Sequence, residues 1–348
     1  MKTYLMAGVA AAALAIPTAT VAQRHEVETT DLVNVNVGAR FDWNQTSRDG
    51  HNESSESGFM ADYLRLRLDG QIIPGLTYSW RQRFNKAHAD GYILDATDWL
   101  FLAWQYGNLH LSAGKETVLI GSYEYDRNPM DVFVFSDFVY NIACFQLAAT
   151  VGYDLSKSDR LSLQLSQSPF SSKDLRNLYS TNLYWAGSHG IWSTLWSANM
   201  AEYAPGRWIN YIALGNRFDF NPVWFELDLM NRASSHGAFF GDHSIVANLG
   251  YDINSRWTIH AKFSYDRNKE NTADLCVAPG TDLKMGGAGV EFYPIRRDNH
   301  RLRLHADCYY SWGDNGNSAD LMQNKTLRWG AGVTWEMDLF SIKAKQTK

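Results

Sequence analysis

The connections between the apolar segments of this chain alternate between tight and long almost from end to end. Strands joined in that way run antiparallel and gather their short turns at one end and their long loops at the other. A soluble sandwich has no reason to sort its loops by parity of strand number, whereas a barrel that crosses a membrane does. The pattern predicts sixteen strands, near residues 32–44, 58–73, 76–85, 95–106, 109–118, 145–155, 159–167, 178–186, 191–202, 208–220, 223–231, 243–253, 257–267, 285–293, 301–312 and 327–340. The tight connections include Pro74-Gly75, Gly107-Asn108 and Asn221-Pro222, and would be periplasmic turns. The long ones include 45–57, 119–144, 268–284 and 313–326, and would be extracellular loops, with 203–207 a short exception. Fourteen or eighteen strands also fit. The hardest segment is 187–202, where Trp192, Trp196 and Met200 have helical spacing as well.

Within the strands the side chains alternate with period two. From Val33 to Trp43, Val33, Val35, Val37, Ala39, Phe41 and Trp43 share one face, and Asn34, Asn36, Gly38, Arg40 and Asp42 share the other. One face suits lipid and the other water, so the fold class is all-β, a transmembrane antiparallel barrel. Aromatic residues fall at strand ends, with Trp43, Trp208, Trp312 and Trp329 at the outer rim and Tyr106, Trp257 and Tyr293 at the periplasmic rim, as interfacial girdles require.

The first 22 residues read as a secretory signal peptide: an apolar run from Met6 to Ile16, then Thr20-Val21-Ala22 before Gln23. An 11-residue run is too short to cross a bilayer as a helix. Residues 23–348 then form one barrel domain with a short periplasmic tail, placed in the outer membrane of a Gram-negative cell. Loss of Lys2 leaves 31 basic against 37 acidic side chains, a balance that gives nucleic acid no electrostatic footprint. Cys144, Cys276 and Cys308 have no CxxC spacing, which argues against a disulfide framework or a zinc site; Cys308 reads as a small outward residue.

Fixing the phase from the apolar face assigns the other face to the lumen. Leu64, Leu66 and Leu68 point out, so Arg65, Arg67 and Asp69 point in; by the same rule Arg81, Arg83, Arg301, Arg303, His305, Asp307, Arg328 and Glu336 are lumenal. Closure sets the last strand beside the first. Arg40, Arg65, Arg67, Arg81, Arg83, Arg301, Arg303 and Arg328 therefore share one continuous wall, opposite Glu226, Asp228, His260 and Lys262. Guanidinium forks in a narrow aqueous passage attract carboxylate or phosphate, and several weak sites in series still permit release. The same arginines could instead pair with Asp42, Asp69, Asp307, Glu336 and Asp338 and stiffen the wall.

The 26-residue connection 119–144 is unlike the others. It carries Tyr125, Asp126 and Arg127, then an apolar run including Phe133, Phe135 and Tyr140 that is costly to leave in water. Folding into the barrel as a constriction would bury that run; capping the mouth or meeting another subunit are the alternatives.

No G-x-S-x-G, Walker loop, H-E-x-x-H or strand-following G-x-G-x-x-G occurs, and the histidines are scattered, so no catalytic residue, cofactor or metal is assigned. The 313–320 segment offers oxygen ligands for calcium but is also plain turn chemistry. A barrel hydrolase built on His305 with Asp307, or on His260 with Ser264, is the enzyme alternative, and a ligand-binding or adhesion barrel the third.

With Val37-Gly38-Ala39-Arg40-Phe41-Asp42, Asp62 to Gly70 with Arg81 to Asn85, and Gly114-Lys115-Glu116, the chain resembles the phosphate-selective porins O and P, especially shorter Bacteroidetes members. The resemblance implies a 16-stranded, usually trimeric barrel in outer-membrane lipid that admits small hydrophilic solutes, anions above all. Two features depart from that family. The wall is rich in arginine but poor in lysine and also carries acids, and the chain runs eight residues past Phe340, where such barrels usually end on an aromatic residue.

Overall fold

A computed structural model describes residues 31–86, 93–172, 174–234, 240–295 and 302–343. The segment 1–22 expected to be a signal peptide, Arg301 and the last five residues lie outside the described residues. Sixteen long strands follow in chain order: β1 (Asp31–Arg48), β2 (Gly58–Ile73), β3 (Leu76–Arg83), β4 (Thr97–Tyr106), β5 (Leu109–Thr117), β6 (Phe145–Asp154), β7 (Asp159–Gln167) and β8 (Tyr179–His189). The second half comprises β9 (Trp192–Ala204), β10 (Arg207–Asp219), β11 (Val223–Ser234), β12 (Asp242–Asn254), β13 (Trp257–Asn268), β14 (Thr281–Phe292), β15 (Leu302–Asp314) and β16 (Thr326–Lys343). Each pairs antiparallel with its sequence neighbours, and β16 closes on β1 through a long ladder that includes Val35 with Phe340 and Phe41 with Val333. Closure leaves no open edge, the condition for backbone polar groups to survive in hydrocarbon.

The predicted phase holds. Arg40, Asp42, Arg65 and Asp69 are buried inside the cylinder, while Phe41 and Leu64 stand on its outer surface. The outer wall of β4, β6, β7 and β8 exposes Leu100, Leu102, Leu147, Val151, Leu161, Leu163, Leu165 and Leu183. At roughly 1 kcal/mol for each half-exposed aliphatic side chain, such a wall is stable in lipid and not in water. Cys308 lies on this surface, as its alternation predicts.

The ambiguous segment is strand. β8 runs on to His189, two residues turn at Gly190 (φ +68°) and Ile191, and β9 starts at Trp192. Trp192, Trp196 and Met200 are spaced by four, which is one face of a strand as well as of a helix; Trp196 meets Trp185 of β8 edge-on at 5.1 Å. Trp208, Trp312 and Trp329 stand exposed at the long-loop end, and Tyr106 and Trp257 at the other. Tyr293 departs from its girdle assignment. It is buried and faces inward, donating its hydroxyl to Glu291 at 2.7 Å, because it lies two residues beyond lumenal Glu291 and falls on the same face. β16 continues past Phe340 to Lys343, pairing Ile342 with Val33, so part of the supposed tail is barrel wall.

Candidate functional site

Residues 118–144, between β5 and β6, fold into the barrel. Two short helices, α1 (Tyr123–Asp126) and α2 (Asp137–Asn141), interrupt the segment, and each has its first amides on a wall carboxylate. Asp228 on β11 accepts from Ser122 Oγ at 2.8 Å and from the backbone N–H groups of Tyr123 and Glu124, both at 2.9 Å. Asp266 on β13 accepts from the N–H of Asp137 at 3.0 Å and of Phe138 at 3.4 Å. The unpaired amides of a helix start are thereby satisfied in a buried place where water could not serve them. Gly121 allows the close approach: a Cβ there would sit 2.3 Å from the carbonyl oxygen of Leu195.

Wall cations grip the middle of the segment. Arg40 donates to the carbonyl of Val132 at 2.7 Å, Arg303 to that of Met130 at 2.6 Å, and Arg65 to the side chain of Asn128 at 2.8 Å. Lys262 pairs with Glu124, which also takes the Ser136 hydroxyl at 2.6 Å. The apolar run is buried as the sequence predicts, except for Phe135, which is half-buried, and Tyr140, which remains exposed. Tyr125, Phe138, Val139 and Ile142 pack on Ile209, Tyr211, Ala213, Met230 and Val246, which face the lumen, with Phe135 against the same cluster.

Phe133 sits at the centre. Its ring stacks on His260 at 4.8 Å, meets His305 at 4.7 Å, and lies under the guanidiniums of Arg40 at 5.0 Å and Arg303 at 5.7 Å. With Val132 and Val134 it forms the wall common to two chambers. The lower chamber, toward the short turns, is about 390 Å³ and is lined by Arg127, Asp131, Arg217, Trp224, His260, Lys262, Glu291, Arg303 and Glu336 among others. The upper chamber, toward the long loops, is about 180 Å³ and is lined by Arg40, Asp62, Tyr63, Asp137, Tyr140 and Arg328 among others.

The remaining wall arginines line neither chamber. Arg81 is buried against Asp98 at 2.7 Å and stacks 3.6 Å from the Trp99 ring centre; Arg83 reaches the same carboxylate at 3.3 Å; Arg67 pairs with Asp69 at 2.7 Å and stays partly exposed. Arg40 pairs with Asp42 at 2.6 Å. Arg328 is buried on the upper chamber, and its Nε has no hydrogen-bond partner among the described residues. Asp126 is half-buried on α1.

Strand alternation makes the arginine wall basic and the β11 wall acidic, yet the groups that meet water in the lower chamber carry the opposite signs. On the arginine wall, Arg65 and Arg303 have side chains only 7% exposed, while their partners Glu336 and Asp131 are 36% and 42% exposed. On β11, Glu226 is 1% exposed beneath Arg127 and Arg217, which are 25% and 30% exposed. In these pairs the wall charge is capped by its counter-ion, and the cap is what a solute encounters.

At the long-loop end, Asp320 takes amide N–H groups from Asn141 at 3.0 Å and Asn317 at 2.6 Å, and Asn315 donates to Asp137 at 3.1 Å. The segment considered for calcium thus latches onto α2. Burial, the contact with Asp320 and the charge of Asp266 push the Asp137 carboxyl up to about 9.

The fold is a closed 16-stranded antiparallel barrel, and its shape is similar to that of solved outer-membrane channels. The sequence profile of the family described as phosphate-selective porin O and P matches residues 33–200. No curated protein matches the sequence. Among solved structures, outer-membrane OmpT of Vibrio cholerae superposes with a TM-score of 0.62 at 12% identity, covering 90% of this chain and 100% of that one. The anion-selective porin from Comamonas acidovorans gives 0.61 at 11% identity, covering 88% and 99%. The channel DcaP of Acinetobacter baumannii gives 0.58 at 14% identity, covering 88% and 97%.

Proposed function

We propose that this chain is a porin of the Gram-negative outer membrane through which small hydrophilic solutes diffuse passively, with a preference for anions such as phosphate. The observation that carries the reading is a closed barrel with an aliphatic exterior and a bore narrowed, from within, to chambers of about 390 and 180 Å³ lined by charged side chains. Chambers of that size accept small solutes and refuse polymers. The anion preference rests on guanidiniums of the upper chamber and the wall: Arg328 lines the upper chamber, and Arg67 and Arg83 reach water. Weak sites in series let an ion enter and leave. The matching family profile and the Comamonas porin carry anion and phosphate preference in their descriptions, in line with this reading. Assembly as a homotrimer belongs to the same proposal; a trimer form is known for OmpT.

The test is a planar bilayer with purified protein under a potassium chloride gradient. Discrete conductance steps with a reversal potential on the chloride side are expected. A protein that inserts but conducts nothing refutes diffusion, and steps with a reversal potential on the potassium side refute the anion preference.

A further inference from the structure

The lower chamber presents charge in two opposed groups. Arg127 and Arg217 lie over the Trp224 ring, at 5.3 and 5.0 Å from its centre, and cover Glu226. Across the bore, Asp131 and Glu336 cover Arg303 and Arg65. Among the described residues, the charged lining comprises four cations, Arg127, Arg217, Lys262 and Arg303, and four carboxylates, Glu124, Asp131, Glu291 and Glu336, so their formal sum is zero with His260 neutral. A chamber with no net charge gives a lone anion or a lone cation little reason to stay, because attraction to one side is offset by repulsion from the other. A molecule with a charge of each sign gains from both sides at once, provided that it spans them.

We infer that the lower chamber is a transit site for small zwitterions, molecules that carry a carboxylate and an ammonium group, with the carboxylate toward Arg127 and Arg217 and the ammonium toward Asp131 and Glu336. The inference rests on the diffusion reading and names a solute class within it; the arginines of the upper chamber and wall still set the response to simple ions. Both ends of the solute remain partly hydrated, because all four capping side chains keep a quarter or more of their surface open. Binding is therefore weak enough to permit release, as passage requires.

The experiment is swelling of proteoliposomes in isosmotic γ-aminobutyrate or erythritol, a zwitterion and a neutral solute of similar size. With the wild-type protein the zwitterion should enter faster by about two- to fivefold, the value of partly hydrated ion pairs. The double variant Asp131→Asn/Glu336→Gln should lose that advantage while still admitting erythritol. Arg303 keeps Glu291 at 3.0 Å and Arg65 keeps Asn128 at 2.8 Å, so neither buried arginine is left without a partner. Equal entry of the two solutes into wild-type vesicles overturns the inference, as does an undiminished zwitterion advantage in the variant. Failure of both solutes to enter wild-type vesicles would strike the diffusion reading instead, and erythritol entry into the variant vesicles reports that the variant has folded.

Discussion

Removing the carboxylate of Asp228 should free the constriction at its root. In Asp228→Ala three donors lose their acceptor at once: the Ser122 hydroxyl and the amides of Tyr123 and Glu124, at 2.8 to 2.9 Å from a side chain that is fully buried. Hydrogen bonds to a charged group are worth about 1.5–3 kcal/mol each. Three would total more, but water entering the vacated space recovers part, so a loss of about 3–4 kcal/mol is a fair expectation. At 1.4 kcal/mol per factor of ten, opening of α1 should become more frequent by roughly 10²-fold or more. The barrel itself should persist, since the ladders that β11 forms with β10 and β12 are backbone pairings. Hydrogen exchange of the Tyr123 to Asp126 amides in detergent micelles reads this directly, with amides of β11 as the internal control. Asp228→Asn, which keeps one carbonyl oxygen, should fall between the two. Unchanged exchange at Tyr123 and Glu124 in the alanine variant would refute the claim that this carboxylate holds the loop inside the barrel.

Two further outcomes follow from the same geometry. Replacing Arg67, Arg83 and Arg328 together with glutamine should lower the anion-to-cation permeability ratio by roughly two- to fivefold; the reversal potential should be taken near 0.1 M salt, because screening shortens to roughly 3 Å at 1 M. The Asp137 carboxyl is raised from 3.8 to about 9, so its contribution to docking of α2 is fully present below 3.8 and is lost as pH rises through about 9, where a charge appears beside Asp320 and Asp266. Open-channel noise should therefore grow above pH 9, and Asp137→Asn should remove the change.

Most of the barrel was legible because its signals are local. Period-two alternation set the phase of β1, β2, β15 and β16, and turn chemistry set the strand ends to within a few residues. The inward fold of residues 118–144 followed from the cost of leaving Phe133 and Phe135 in water. Its landing place did not, although the signal was present: β10 reads apolar on both faces, Ile209, Tyr211 and Ala213 inward against Ile212 and Leu214 outward, and an apolar lumenal face needs a cover. Glu226 and Asp228 were found on the lumenal face as alternation requires, but the first carries a salt bridge and the second a helix start. His260 and Lys262, assigned to the wall opposite the arginines, meet Phe133 and Glu124 of the inward loop. Which sign faces water on each side of the lower chamber was out of reach of any strand pattern. It depends on which member of each ion pair lies outermost, and Arg127 meets Glu226 across 99 residues of chain.

The central claim is a water-filled path through a closed barrel, and single-channel recording of the purified protein in a planar bilayer tests it most directly. The account predicts discrete, stable conductance steps that scale with salt concentration. Insertion of folded barrel into the bilayer with no current at any voltage would contradict it.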